Sequence, residues 1–196
     1  SSQETPLKLG TLTVDLSGNT VAFSGPDNSA TYGIEVDVGF GPNDMAFSAV
    51  DNVVTGFEMG FEFYNCQSSC STGVLTAASV NNNQLTGNDY GVWSNVDYFT
   101  VDARYNWWGD VSGPSGEGPG TGDAVSLYVD YTPWWGDSTG SFTVGEAGEI
   151  VIPSGTPAAD IQVVIDNAPP GTIIILPPEV IPVPGGFTIG NPGVTL

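Results

Sequence analysis

Apolar and polar residues alternate over many short stretches of this chain. Ile34 and Val36 alternate with acidic residues in GIEVDV (33–38), and Phe61 and Phe63 flank an acidic residue in GFEF (60–63). A period of two is typical of β-strands with one buried face. Gly, Asn and Asp separate these stretches, so we predict an all-β fold with many turns. The predicted core positions are Val21, Ile34, Val36, Val54, Phe61, Phe63, Leu85 and Val92.

Three stretches, 19–36, 52–63 and 83–93, are variants of one unit. Each begins with Asn and reaches an apolar-Gly-apolar triplet near its end, centred on Gly33, Gly60 or Gly91. The second and third stretches align without gaps at an offset of 31 residues. Repeats of about 20–50 residues with short strands are typical of β-solenoids. We therefore predict a right-handed parallel β-helix whose Asn residues occupy left-handed corners and hydrogen-bond from turn to turn. Alternation alone leaves an antiparallel sandwich as the alternative.

Two tryptophan pairs stand in glycine-rich surroundings, in RYNWWGDVSGP (104–114) and YTPWWGD (131–137). Strand alternation predicts that one member of each pair points inward and the other outward. The last turn of a solenoid exposes apolar side chains and strand edges, which bulky indoles could cover. We predict this closure role for Trp107, Trp108, Trp134 and Trp135; stacking of the outward members on sugar rings is the alternative.

The segment 47–136 resembles the right-handed parallel β-helix repeat proteins of bacterial and archaeal surfaces, which are pectate-lyase-like solenoids. The motifs that carry the resemblance are Asn106-Trp107-Trp108-Gly109, Gly113-Pro114, Gly122-Asp123 and Val129-Asp130-Tyr131-x-Pro133-Trp134. The resemblance implies that this element is the final coil and C-terminal closure of a solenoid. It also implies an extracellular or cell-surface location.

The sequence pattern changes after residue 136. The segment 157–196 resembles the first part of a second β-helix. Apolar residues spaced three and four apart predict one short helix over 158–167, ended by Pro169-Pro170-Gly171. Strands are predicted at 172–176, 187–189 and 194–196. The predicted organisation is therefore terminal coils over 1–136, a linker over 137–156 and the start of a following solenoid over 157–196.

Both ends of the sequence read as interrupted repeats. The first rung, KLGTLTVDL (8–16), has no preceding cap, and the chain stops at GVTL, where another rung is expected. The chain is then either part of a longer surface protein with tandem solenoids or a subunit that assembles head to tail. The two explanations are compatible.

The charge is strongly one-sided: 22 Asp and Glu oppose two basic residues, Lys8 and Arg104, and the net charge is −20. This composition disfavours nucleic-acid partners and anionic membrane surfaces, because both need clustered cations. Without an apolar run of 18 residues, no transmembrane helix or membrane insertion is expected. Cys66 and Cys70 are close in sequence and predict a disulfide in an oxidising compartment.

Parallel β-helices include polysaccharide lyases and hydrolases, so candidate catalytic groups need inspection. The chain contains no His, and Arg104 next to the first tryptophan pair is expected in a salt bridge or cation–π contact. Carboxylate pairs such as Asp97 with Asp102, or Glu58 with Glu62, would suit glycoside hydrolysis. Among 22 acids such pairs arise by chance. We predict no catalytic residues and no enzyme activity.

The loop 109–123 offers Asp110, Glu117 and Asp123 as oxygen ligands, for which Ca²⁺ is the best-suited cation. A solvated Gly/Pro loop is the alternative, and no cofactor is required for the predicted role.

The sequence thus favours a non-enzymatic extracellular structural or adhesive solenoid module of a cell-surface protein or filament. Its expected partners are other copies of itself or adjacent solenoid domains. The alternative is a protein that binds or processes polysaccharide, with any catalytic coils outside this chain.

Overall fold

A computed structural model describes residues 10–38, 43–65, 73–179 and 181–196. Its first three turns contribute three strands each: β1 (Thr11–Ser17), β2 (Thr20–Ala22), β3 (Tyr32–Val38), β4 (Asp44–Val50), β5 (Val53–Thr55), β6 (Met59–Asn65), β7 (Leu75–Asn81), β8 (Gln84–Thr86) and β9 (Tyr90–Ser94). The later elements are β10 (Val101–Asp102), β11 (Pro114–Gly116), β12 (Gly122–Val125), β13 (Val129–Asp130), β14 (Trp134–Trp135), β15 (Thr143–Val144), β16 (Glu149–Val151), α1 (Ala158–Asn167) and β17 (Ile173–Ile175). The predicted disulfide between Cys66 and Cys70 lies outside the described residues.

Equivalent strands of successive turns pair in parallel, which makes the chain a β-solenoid. Three sheets run along it, in the orders β1-β4-β7-β10-β13, β2-β5-β8 and β3-β6-β9-β12-β11. Residues of one turn align with those of the next, as in Val53 with Gln84 and Phe61 with Val92. The predicted parallel solenoid is confirmed, and the antiparallel sandwich is wrong.

The parallel register stacks the predicted core residues into columns. Val21, Val54 and Leu85 form one column, and Ile34, Phe61 and Val92 form another. From the second turn onward these side chains have no exposed surface, whereas Val21 and Ile34 of the first described turn are only partly buried. The core prediction is confirmed, with less burial at the first turn because its described neighbours lie on one side only.

An asparagine ladder joins four successive turns. The Oδ1 atom of Asn52 accepts hydrogen bonds from the backbone N–H (2.9 Å) and the Nδ2–H (3.0 Å) of Asn19. In the same way, Oδ1 of Asn83 accepts both hydrogen bonds from Asn52 at 2.9 Å. Oδ1 of Asn106 accepts the corresponding bonds from Asn83 at 2.8 and 3.1 Å. The ladder ends where the Nδ2 of Asn106 donates to the carbonyls of Val80 and Ala103. The predicted turn-to-turn hydrogen bonding is confirmed.

The left-handed corner residue is the one before each ladder asparagine. Gly18, Asp51, Asn82 and Tyr105 have φ values of 67°, 58°, 57° and 58°. Our expectation that the repeated Asn itself takes the corner is therefore wrong at the ladder positions. The corner turns the chain, and the side-chain oxygen of the next residue then accepts hydrogen bonds from the preceding turn at Asn52, Asn83 and Asn106.

The repeated glycines of the apolar-Gly-apolar triplets make room for the neighbouring turn. A Cβ on Gly60 would lie 2.9 Å from the carbonyl oxygen of Gly91, and a Cβ on Gly91 would lie 2.9 Å from the ring of Trp108. Both distances are shorter than van der Waals contact. The glycine repeat therefore reflects close approach of backbone to the next turn.

The C-terminal segment begins with helix α1 at the predicted residues, and its inner face buries Ile161, Val164 and Ile165. β17 pairs in parallel with β16, and Ile173 forms a bridge with Thr195. The predicted strand over 187–189 is wrong. Of the strand predicted over 194–196, only the single bridge at Thr195 forms. β15 and β16 lie within the segment predicted as a linker.

No helix in the described residues is both long and apolar enough to cross a membrane.

We expect Asn83→Ala to destabilise the solenoid by about 2–4 kcal/mol, because it leaves the buried backbone N–H of Asn52 without an acceptor. The matched control is Asn19→Ala at the exposed first rung of the ladder, for which we expect a loss of about 1 kcal/mol or less. Denaturant unfolding measures both. Equal losses would contradict the structural role of the ladder.

Candidate functional site

Backbone hydrogen bonds fix the tryptophan pairs on two consecutive turns. The N–H of Trp107 donates to the carbonyl of Asn83 at 2.9 Å, and the N–H of Trp135 donates to the carbonyl of Asn106 at 3.0 Å. Trp107 and Trp135 therefore occupy the same position of their turns, and Trp134 takes the position that Asn106 holds one turn earlier. The two pairs are offset by one residue.

This offset decides which indoles are buried. Trp108 has no exposed surface and Trp134 is 3% exposed, whereas Trp107 and Trp135 are partly exposed. The prediction of one inward and one outward member in each pair is confirmed. Trp108 takes the interior position that Leu85 holds one turn earlier, because Trp107 is bridged to Gln84. The two buried indoles thus continue the apolar interior into the last turns.

The buried indoles differ in their polar contacts. The Nε1–H of Trp134 donates to the carbonyl of Val111 at 3.0 Å. Within the described part of the chain, the Nε1–H of Trp108 has no acceptor. Gly113 has a φ of 86°, and a Cβ there would lie 2.5 Å from the Trp134 ring, so glycine is needed beside this indole.

The exposed indoles line one groove of about 350 Å³ on the outside of the solenoid, here called the indole groove. Its floor is the outward position of four consecutive turns: Val53, Gln84, Trp107 and Trp135. Corner residues Asp51 and Asn82 form one side. The loop over 138–140, between β14 and β15, also lines the groove. The groove therefore runs along the solenoid axis.

Neighbouring groups hold Trp135 in place. Its Nε1–H donates to Oδ1 of Asn82 at 3.2 Å, and its ring lies 5.7 Å from that of Tyr105. Asp137 stabilises the adjacent loop through its carboxylate. The carboxylate accepts hydrogen bonds from the N–H (2.8 Å) and the hydroxyl (2.8 Å) of Thr139 and from the N–H of Ser141 (3.1 Å). The groove wall is thus built from constrained groups.

The three predicted metal ligands are divided between two grooves. Asp110 and Asp123 line one and Glu117 lines another. Asp110 accepts hydrogen bonds from the N–H (2.8 Å) and hydroxyl (2.6 Å) of Ser112, an arrangement that shapes its own loop. In residues 10–38, 43–65, 73–179 and 181–196, no group of three or more His, Cys, Asp or Glu side chains is arranged to hold a metal ion.

Asp123 instead ends a second ladder that sequence reasoning missed. The N–H of Phe57 donates to Oδ1 of Asn88 at 3.0 Å, and the backbone N–H and Nδ2–H of Asn88 donate to Oδ2 of Asp123 at 3.1 and 2.6 Å. The signal in the sequence is a repeated Thr-Gly, at 55–56, 86–87 and 121–122, directly before these three residues. Burial raises the pKa of Asp123 to about 6, although its hydrogen bonds favour the ionised form.

Two of the groups considered for catalysis, Arg104 and Asp102, are paired with each other. Arg104 forms a two-pronged ion pair with Asp102, Nε to Oδ1 at 2.8 Å and Nη2 to Oδ2 at 2.8 Å, which confirms the expected salt bridge. Hydrogen bonding to Arg104 lowers the pKa of Asp102. Glu62 is buried in register with Glu35 of the preceding turn, and burial, followed by the charge of Glu35, raises the pKa of Glu62. The absence of enzyme activity stays a prediction.

We expect Trp108→Ala to lower the free energy of unfolding by about 3–5 kcal/mol, because it empties a fully buried site. Trp107→Ala is the matched control on the adjacent residue and should cost about 1 kcal/mol or less, since its indole is partly exposed. Guanidinium unfolding measures both variants. A similar loss for the two would contradict the inward–outward assignment.

Asp123 predicts a pH dependence of stability. With its pKa raised from the usual value near 4, the folded state binds more protons than the unfolded state between about pH 4 and about pH 6, so stability falls as pH rises through this window. Asp123→Asn removes this component. We expect the stability of the variant relative to the parent chain to rise by about 2–3 kcal/mol across the window. Unfolding curves at a series of pH values test this, and a constant difference would contradict it.

Comparison of the chain with models of protein families, with curated proteins and with solved structures gives no match. The resemblance of the tryptophan motifs to surface β-helix proteins therefore stays an expectation from the sequence. The parallel solenoid stands on the strand pairing alone, and function has to be inferred from geometry.

Proposed function

We propose that the chain is a non-enzymatic structural or adhesive solenoid module that acts outside the cell, at a cell surface or in a filament. Its partner in this role is a further solenoid turn, supplied by another copy or by an adjacent solenoid domain. The observation that carries the proposal is the apolar, open character of the first described turn.

The interior of that turn is open along β1, although Val36 of β3 in the same turn is only 4% exposed. Leu12 of β1 is 51% exposed, and Val14 and Leu16 are partly exposed. The partners of Val14 and Leu16 one turn further on are covered, since Phe47 is 4% exposed and Ala49 has no exposed surface, whereas Met45, the partner of Leu12, is partly exposed. An open core column of this kind is completed when another turn stacks on it.

The backbone of β1 is also arranged so that a further turn could pair with it. The carbonyl of Gly10 and the N–H of Gly18 bond to β4, at 3.1 and 3.2 Å. Because successive residues of a strand point their hydrogen-bonding groups to opposite sides, those of Thr11, Thr13 and Asp15 point away from β4. Among the described residues, β1 is the edge of its sheet. Such an edge is a template for a further parallel strand.

The C-terminal segment offers a second surface, on which three exposed apolar side chains accompany Glu149. Val151, Ile173 and Ile175 on one face of the β16–β17 pair are 56%, 48% and 40% exposed. Contact between two different surfaces is heterologous and does not close on itself, so its repetition extends a fibre. The net charge of −20 keeps such rods apart laterally unless cations screen or bridge them.

We expect the chain to form elongated species whose sedimentation coefficient rises with concentration at moderate salt. Leu12→Asp should abolish this growth, because it buries a carboxylate in the joint. Leu127→Asp is the matched control: Leu127 is 58% exposed but lies outside the first turn. Analytical ultracentrifugation and electron microscopy provide the readouts. A concentration-independent monomer, or equal effects of the two substitutions, would contradict head-to-tail assembly.

A further inference from the structure

We propose that the indole groove binds an uncharged oligosaccharide along the solenoid axis. This site is separate from the open end that serves assembly, so each proposal stands without the other. The groove volume of about 350 Å³ lies within the range of small-ligand sites.

The arrangement of the exposed aromatic rings carries the proposal. Trp107 and Trp135 take the same outward position on consecutive turns, and adjacent strands lie about 4.8 Å apart. Two partly exposed indoles therefore follow one another along the floor of one groove. Indoles present a large apolar face, which suits ligands that have apolar C–H faces; the N–H of Trp135 is already donated to Asn82, so the polar edges of such a ligand need other partners. Pyranose rings have this character, and a linear chain of them presents it repeatedly.

Polar groups beside the indoles match the edges of such a ligand. The groove is lined by the Gln84 amide, which offers donors and an acceptor, and by the exposed Asp51, whose carboxylate accepts hydrogen bonds. Ser138 and Thr139 line the same groove, and the hydroxyl of Thr139 is donated to Asp137. A few polar groups around an apolar floor are typical of sites that orient a ligand.

The charge of the groove selects against acidic ligands. Of the described residues that line it, Asp51 is the only charged one, and the chain as a whole carries −20. An anionic sugar or a phosphate would meet a like charge without a cationic partner. The ligand class is therefore a neutral glycan.

The groove is largely formed before any ligand binds. Asn82 and Tyr105 hold the Trp135 ring, and Asp137 ties together the loop that carries Ser138 and Thr139. Tyr105 has a φ of 58°, which is costly for an aromatic residue and places its ring beside Trp135. Constrained walls reduce the entropy lost on binding.

The experiment titrates the full chain with cellohexaose and xylohexaose, which are neutral, and with hexagalacturonate, which is acidic. Tryptophan fluorescence and calorimetry provide the readouts. We expect at least one neutral hexasaccharide to bind and hexagalacturonate not to bind. Trp107→Ala and Trp135→Ala should each weaken binding by about tenfold or more, as for aromatic anchors elsewhere.

The matched control is Trp93→Ala, since Trp93 is also partly exposed but lines a different groove. It should leave the affinity unchanged. Gln84→Ala, at a partly exposed floor position, tests the site without altering an indole and should weaken binding several-fold. Saturation-transfer NMR on the parent chain identifies sugar protons that contact aromatic rings. Failure of both neutral sugars to bind, binding that survives both indole substitutions, or tighter binding of hexagalacturonate would overturn the proposal.

Discussion

The amide-to-amide hydrogen bonding of Asn19, Asn52, Asn83 and Asn106 is the constraint on which the rest of the structure depends. Asn52, Asn83 and Asn106 each accept hydrogen bonds from the backbone N–H and the side-chain N–H of the asparagine one turn earlier, so the turns align at one fixed residue. Because side chains of a strand alternate between two faces, a slip of one residue would expose an entire core column. The ladder therefore sets the register that buries Val54, Leu85, Phe61 and Val92.

The end of the ladder explains the tryptophan pairs. Where the fifth turn would supply another asparagine it supplies Trp134, which is buried. The second tryptophan pair therefore stands one residue earlier in its turn than the first pair does. As a result, Trp135 aligns with Trp107 and not with Trp108. One substitution in the repeat both terminates the polar ladder and brings two outward indoles together in one groove.

Local repetition explains what the sequence could predict. The period-two pattern, the repeated Asn and the Gly triplets identify the parallel stack and its core, and the three-four spacing of Ile161, Val164 and Ile165 identifies α1. The second ladder was missed because its three positions carry three different residues, Phe57, Asn88 and Asp123, and only the last two have a side-chain oxygen that accepts a hydrogen bond. The indole groove was missed as well, since aligning Trp107 with Trp135 requires the backbone hydrogen bonds of the last turns.

The two proposed functions, assembly and ligand binding, use different surfaces of the solenoid. The surfaces proposed for assembly lie at the first turn and on the β16–β17 pair, whereas the indole groove lies on the side, across four turns. Stacking at the ends would therefore leave the groove open, and a fibre would carry one groove per copy. A polysaccharide chain could then engage several grooves at once, and linked binding events gain affinity through effective concentration. A shallow groove that holds a short oligosaccharide weakly would in this way become adhesive in an assembled rod.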